Sequence, residues 1–346
     1  MRAAVYREFQ GPLTIEDVSD PAAPADGVVL EVGATGICRS DWHAWMGHDP
    51  DVAPPHVPGH ELAGTVVAVG ADVRGVREGE RVTVPFCLGC GRCAPCRAGE
   101  TQICDDDYQP GFTGWGSFAR YVALPHAELN LVRLPEALGF VEAAALGCRF
   151  MTAFAAITVH GRPREGEWVA VHGCGGLGLA AVMIAAAAGA RVAAVDIAPA
   201  KLALARELGA ELALDARAGD PAAAIAEATG GGAHVSLDAL GSAATCAASI
   251  ASLRKRGRHV QVGLMLGDER SVPLPMSRVI SHELELAGVH GMAVRHYPAL
   301  LEAITAGRLD PGRLVGATVG LEQAGDELAA MGGYARDGAT VIARFS

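Results

Sequence analysis

The rhythm of apolar and polar positions changes once along this chain. Up to about residue 125, short apolar runs at 28–32, 62–69, 81–86 and 118–124 are separated by Gly, Pro and Asp. That is the spacing of strands in a small barrel or sandwich. From residue 168 the pattern becomes strand–helix alternation. Strands are predicted at 168–172, 191–196, 212–214, 234–238, 258–262 and 284–288, and helices at 177–188, 201–208, 221–229 and 243–253. Apolar, β-branched strands alternating with helices predict a parallel sheet covered on both faces. After about residue 291 the alternation fades, leaving a helix at 297–306 and a closing strand at 339–345. The expected fold class is therefore α/β, a doubly wound parallel sheet beside a β-rich domain. The division runs 1–150, 151–290 and a C-terminal segment 291–346.

Composition narrows the field. Half of the 346 residues are apolar and 19% are charged, which is a folded chain with room for two cores. A formal charge of −11 disfavours nucleic acid and anionic membranes, both of which reward clustered cations. No apolar run reads as long and clean enough to span a bilayer; the best, 177–190, is short and interrupted by Gly178 and Gly189. Arg2, Arg7 and Glu8 break up any signal-peptide core. The expected compartment is the cytosol, where nine cysteines read as thiols and metal ligands rather than disulfides.

Gly173-Cys174-Gly175-Gly176-Leu177-Gly178 is a G-x-G-x-x-G run. In a chain with 44 glycines the pattern alone means little, but here it follows a strand, opens a helix, and is succeeded by Asp196 at the end of the next strand. Gly173 would allow the tight turn, Gly175 the approach of a pyrophosphate to free helix N–H groups, and Gly178 the packing of helix on strand. The Asp196 carboxylate would accept from ribose hydroxyls and repel a 2′-phosphate, which favours NAD over NADP. Lys201 either caps the ribose edge or is solvated. Cys174 occupies a free position and reads as packing.

Cys90, Cys93, Cys96 and Cys104 form C-x2-C-x2-C-x7-C, with Gly89, Gly91, Pro95 and Gly99 supplying turns. Four thiolates converging at about 2.3 Å close a tetrahedral site, so its task is structural. An iron–sulfur cluster or unligated thiols are the alternatives; tight spacing and the lack of a redox-partner motif favour zinc. Cys87 lies outside the set.

The densest chemistry is Cys38-Arg39-Ser40-Asp41-Trp42-His43, bracketed by Gly36 and Gly47. Gly59-His60-Glu61 follows, preceded by Pro54, Pro55 and Pro58, and Gly147-Cys148 comes later. Two thiolates and an imidazole (Cys38, Cys148, His60) would hold a second zinc with one open position. Such a site acidifies a bound alcohol, which can then give a hydride to nicotinamide. Ser40 would take the proton and His43 pass it towards solvent. Asp41 suits a carboxylate behind His60. Glu61 is either a transient ligand or a buried carboxylate paired with a cation. His48, His56 and His126 read as solvated or structural.

Taken together these motifs resemble the zinc-dependent medium-chain alcohol dehydrogenases, nearly end to end. The resemblance implies a chaperonin-10-like catalytic domain built from 1–150, with its zinc lobe at 87–104, and from the returning 291–346 segment. A Rossmann domain at 151–290 would complete it, with the active site in the cleft between. It implies that Cys38, His60 and Cys148 hold the catalytic zinc, that Ser40 and His43 form the proton relay, and that Arg39 touches the cofactor pyrophosphate. Trp45 and Phe86 match substrate-pocket positions. Two Zn²⁺ per chain, NAD, a small alcohol or aldehyde substrate and a homo-oligomer, a tetramer rather than a dimer, are all implied. Trp42 and Trp115 are departures, the latter narrowing the pocket. Ala339 stands where many members place a phosphate-binding arginine, with Arg344 as a possible substitute. Reversible NAD-linked oxidation of a primary or simple secondary alcohol is the first reading. A polyol, amino-alcohol or larger alcohol is the second, which Cys148 weighs against. A non-catalytic NAD-binding relative is the third.

Overall fold

The computed structural model describes residues 1–333 and 338–345. The chain forms two units, Met1–Met151 with Gly291–Ser346, and Thr152–His290. In chain order the strands of the first unit are β1 (Arg2–Val5), β2 (Thr14–Asp17), β3 (Val28–Ile37), β4 (Glu61–Val69), β5 (Arg81–Thr83), β6 (Tyr121–Leu124) and β7 (Val132–Arg133). The second unit has β8 (Trp168–His172), β9 (Arg191–Asp196), β10 (Leu212–Asp215), β11 (Ala233–Asp238), β12 (Leu253–Gln261) and β13 (Glu285–Gly288). The chain returns to the first unit with β14 (Val315–Gly320) and β15 (Ala339–Arg344).

In the first unit the order is β14-β15-β3-β4-β5-β7, with β6 beside β3 and a separate β1-β2 pair. β3, β4 and β6 place Val28, Leu30, Val32, Leu62, Val66, Val122 and Leu124 in one fully buried cluster. Burying each such side chain is worth about 1.5–3 kcal/mol. β15 pairs antiparallel with β3, Thr340 facing Ile37, so the C-terminal strand belongs to the same sheet as the N-terminal ones.

The second unit is a six-stranded sheet in the order β10-β9-β8-β11-β12-β13, every pair parallel. That is the doubly wound order, in which ligands bind beyond the carboxyl ends of the strands, where the order reverses at β8. The α/β fold class read from the alternation is the one present.

Several expectations need correction. The strand expected at 81–86 stops at Thr83, because Pro85 cannot donate to a ladder. The one expected at 118–124 starts at Tyr121. The helix expected at 243–253 ends at Ala251, and Leu253 opens β12, which is longer than the 258–262 predicted because its first half carries Arg and Lys rather than apolar residues. β1, β2 and β14 were not anticipated. Nor was the helical run Phe140–Gly161, whose 22 residues are long and apolar enough to cross a membrane by length and composition, contrary to the sequence reading. Its apolar window is 72% buried within the molecule, as in a core helix, and it is broken at Gly147 (φ −39°, ψ −144°).

Candidate active site

The antiparallel register of β3 and β4 sets Gly36 opposite Glu61. Residues just past the end of β3 therefore meet those just before the start of β4, which brings Cys38 and His60 together. The helix Arg39–Trp45 begins immediately after Cys38. Its first-turn Asp41, fully buried, accepts from Cys38 N (2.8 Å), Gly59 N (3.0 Å) and His60 Nδ1 (2.8 Å). One carboxylate thus holds the helix start, the Pro58-Gly59 turn and the imidazole.

With Nδ1–H donating to Asp41 and the ring neutral, as a cation at the other nitrogen would require, the His60 lone pair would be on Nε2. That nitrogen is buried and makes no hydrogen bond among the described residues. A buried nitrogen without a partner costs about 1–3 kcal/mol, so its presence points to a ligand. The Cys38, His60, Glu61 and Cys148 ligand atoms all lie within 4.8 Å of one another. Burial works to lower the His60 pKa, but the Asp41 carboxylate overrides it and holds the ring well above its ordinary value. The hydrogen bond with Cys148 draws the Cys38 thiol well below the usual range. Two sulfurs and an imidazole nitrogen suit Zn²⁺.

Cys148 reaches this point through the break at Gly147. A Cβ there would lie 2.3 Å from Glu61 Cβ, and one at Gly36 would lie 2.3 Å from Glu61 Oε2. Only glycine lets both segments close on Glu61. The Glu61 carboxylate is gripped by Arg149, through Nε to Oε1 at 2.9 Å and through the second guanidinium nitrogen to Oε2. Burial pushes the Glu61 carboxyl up to about 7, with Arg149 opposing. The two-point contact is that of an ion pair. Glu61 is paired with a cation, one of its two sequence alternatives, and its carboxylate also lies within 4.8 Å of the Cys38, His60 and Cys148 ligand atoms. Arg149 was missed, although its place directly after Cys148 was a signal.

Phe86 and Phe112 stand edge-on to the His60 ring at 6.2 Å and 5.2 Å between centroids, both buried. Phe112 was also missed; nothing local marks it. Trp45 packs with Tyr6, Ala44, Val52 and Phe112 and donates to Gly11 O at 2.7 Å. Trp115 is 41% exposed. Ser40 Oγ lies 3.8 Å from Cys38 Sγ. No hydrogen bond joins Ser40 to His43 among the described residues; His43 Nδ1 instead lies 3.0 Å from Nδ1 of His48, which the sequence had read as solvated or structural. Burial, with help from Arg39 and His48, pushes His43 down to about 4, so its ring is neutral near pH 7. The Arg39 guanidinium stacks on Trp42 at 4.1 Å and donates to Met331 O.

The Cys90, Cys93, Cys96 and Cys104 sulfurs also lie within 4.8 Å of one another. Cys93 and Cys104 are 3.7 Å apart. A tetrahedron with arms of about 2.3 Å has edges of about 3.8 Å, so this donor set fits zinc. Backbone N–H groups of Cys90 and Asp106 point at Cys104 Sγ, both at 3.3 Å. Gly91 and Gly99 turn the chain at φ +76° and +83°. Buried Asn130 clamps Gly89 N and O at 2.9 Å each, another residue the sequence reading missed.

In the second unit Gly173 takes φ +94°, in the left-handed region, and a Cβ on Gly178 would meet Gly173 O at 1.8 Å. A Cβ on Gly175 would meet nothing within 4 Å, which leaves open space before the helix Gly176–Ala187. Asp196 ends β9 and accepts from Cys174 N (2.7 Å), Ile197 N (2.8 Å) and Ala198 N (2.9 Å). A carboxylate has about four acceptor positions, so capacity remains for a hydroxyl. Lys201 lies in the first turns of the helix Pro199–Glu207.

Residues 24–136 match the family model described as "Alcohol dehydrogenase GroES-like domain", and residues 176–306 match "Zinc-binding dehydrogenase". An alcohol dehydrogenase of Rhizobium meliloti (strain 1021) is 40% identical over 291 residues, 83% of each chain. An NAD-dependent alcohol dehydrogenase of Sulfurisphaera tokodaii is 31% identical over 338 residues, 95% of each. The solved structure of alcohol dehydrogenase TADH from Thermus sp. ATN1 superposes with a TM-score of 0.92 at 29% identity, covering 99% of this chain and 100% of that one.

Proposed function

This chain belongs to the zinc-dependent medium-chain alcohol dehydrogenases, and from that premise we propose that it oxidises a primary or simple secondary alcohol reversibly with NAD. The observation that carries the reading is the buried His60 Nε2, unpartnered, facing two cysteine sulfurs and backed by Asp41 on the other ring nitrogen. Cys38, His60 and Cys148 would hold the catalytic zinc and the four-cysteine lobe a structural one, two per chain. Zinc, when bound, supplies Lewis acidity towards the substrate oxygen, and NAD supplies the hydride acceptor.

The chain's own residues do the rest. Asp41 fixes the His60 tautomer and ring plane. Phe86 and Phe112, and Trp45 behind them, offer the substrate an apolar wall that favours an uncharged alcohol. Ser40 would take the hydroxyl proton as the alcohol is oxidised. In this reading neutral His43 would carry that proton on, with exposed His48, 3.0 Å from it, as a further station towards water. Arg39, Gly173, Gly175, Gly176, Leu177, Gly178, Asp196 and Lys201 would bind the dinucleotide, and Asp196 selects against a 2′-phosphate.

Two further features belong to the same reading. β13 is an edge strand with Leu286 on it 39% exposed, and the helix Met276–His282 that precedes it carries Met276 and Ile280, 49% and 73% exposed. Unpaired apolar edges favour association; a tetramer rather than a dimer is the assembly the family resemblance implies, measurable by light scattering. None of the nine cysteines forms a disulfide among the described residues, which suits the cytoplasm.

The test pairs two measurements. Elemental analysis of wild type and Cys38→Ser should read two zinc ions and one. Absorbance of the reduced cofactor should rise with NAD and members of an alcohol panel. No turnover by a fully zinc-loaded protein would overturn the reading.

A further inference from the structure

The second unit contains a cavity of about 370 Å³ that the dehydrogenase reaction leaves unused. It lies at the opposite end of the sheet from the glycine fingerprint. Arg162 and Arg164 precede β8, His234 is near the start of β11, and Arg254, Lys255, Arg256 and Arg258 occupy the first two-thirds of β12. The fingerprint follows the other end of β8, whose five residues span roughly 17 Å.

A chain of net charge −11 here collects six cationic side chains around one lining carboxylate, Glu167. Arg256 and Arg258 are paired with Glu283 and Glu285, each at 2.6 Å. Arg162, Arg164, Arg254 and Lys255 form no salt bridge among the described residues. Arg162 and Arg256 also sit at φ +50° and +61°, a backbone region that side-chain-bearing residues rarely adopt.

The sharpest sign is a conflict between donors. Trp168 N–H donates to His234 Nδ1 at 3.1 Å. A neutral imidazole accepting there carries its proton on Nε2. That Nε2 lies 2.8 Å from a guanidinium nitrogen of Arg254, which can only donate. Two donors face each other with no acceptor between them, and protonating the ring would add a second conflict at Trp168. Trp168 N–H and Arg254 compete for the single acceptor of a neutral imidazole, and an outside oxygen that accepts from Arg254 relieves the shortage. The site is rich in donors and short of one multivalent acceptor.

We propose that this cavity binds a compact multivalent oxyanion, phosphate or the phosphoryl group of a small ester, separately from the dinucleotide. Its volume is near the lower end of the range for small-molecule pockets, about 300–1,000 Å³. A compact, half-open cluster on an acidic chain fits a small anion better than the extended cationic stripe that nucleic acid requires. The assignment stands independently of the alcohol substrate and of zinc.

The test uses the full-length, zinc-loaded protein with NAD held at saturation, so that the fingerprint cannot take up the anion. Calorimetric titrations with inorganic phosphate and with methyl phosphate are run at constant ionic strength, with chloride as the control. One saturable site per chain is expected. Arg254→Gln and Lys255→Gln should each weaken it about tenfold, the loss of one charge-assisted hydrogen bond. NAD binding and alcohol turnover should stay within about twofold of wild type, since neither residue touches that chemistry. Tighter binding of phosphate identifies the free anion as the occupant, and tighter binding of methyl phosphate an ester. Arg254 is half-buried, whereas Lys255 and Arg162 are exposed, so Lys255→Gln and Arg162→Gln keep the test valid if Arg254→Gln folds poorly. The proposal is overturned if neither anion saturates beyond the chloride control, or if the variants bind as wild type does.

Discussion

Arg149 holds both carboxylate oxygens of Glu61, and each partner is the residue immediately after a candidate zinc ligand, Cys148 and His60. The pair is buried, Glu61 completely. Its removal from one side is therefore informative. Arg149→Gln leaves a carboxylate buried without its cation, a loss of about 3–5 kcal/mol. Thermal melting should record a drop of many degrees, and Glu61→Gln added to it should recover part of that drop. No recovery in the double variant would show that the charge is not the cause.

Asp41 accepts three hydrogen bonds and orients His60. Asp41→Asn can keep some of them but replaces an acceptor oxygen with a donor. Zinc affinity at the Cys38–His60–Cys148 site should fall about 10–100-fold. Competition with a chelator, read as zinc retained per chain, checks this, and the four-cysteine site serves as an internal reference that should not change.

His43 is the proposed carrier between Ser40 and solvent. His43→Ala should lower kcat about 100-fold, with less effect on KM, because general acid–base transfer typically contributes that much. Added imidazole should restore part of kcat if the lost function is proton carriage. Absence of rescue would favour a packing role against Trp42.

Asp196 should decide which dinucleotide is used. Asp196→Ala removes the negative charge that a 2′-phosphate would meet. It also removes a cap on Cys174, Ile197 and Ala198. The ratio of kcat/KM for NAD over that for NADP should fall at least about tenfold, the equivalent of roughly 1.4 kcal/mol. An unchanged ratio would place the selectivity elsewhere.

His172 is buried in β8 and hydrogen-bonded to Ser252 Oγ at 3.2 Å. Burial first, and His259 second, push its pKa down from 6.5 to about 3. The unfolded chain therefore takes up this proton near pH 6.5 while the folded chain resists until about 3. The contribution to stability is intact above pH 6.5 and is lost as pH falls towards 3, at up to about 1.4 kcal/mol per pH unit. His172→Gln should flatten the acid limb of urea midpoints measured between pH 4 and 6.5 by up to that amount.

The chain's periodicities foretold some elements better than others. The second unit was readable because its strands are buried on both faces and its helices lie between turn residues, so type and order followed from local pattern. The β1–β2 pair, β14 and the short β7 were invisible: two to six residues carry too little pattern of their own, and what holds each is a ladder to another strand. Phe112 and Asn130 were missed for a similar reason. Their roles come from what they face, the His60 ring and the Gly89 peptide, and not from their neighbours in sequence.

Residue type and spacing alone determined which side chains could ligate, because thiolates two residues apart and a glycine run between strand and helix are chemical facts before folding. Convergence was a tertiary outcome. Cys38 and Cys148 are 110 positions apart (148 − 38), and only the β3–β4 register and the break at Gly147 set them beside His60. The same holds for the partners: that Glu61 is answered by Arg149, that His43 meets His48 rather than Ser40, and that six cations share one cavity. The first joins residues 88 positions apart, and the others depend on how a helix end and a strand are turned towards their neighbours, which a linear sequence leaves open.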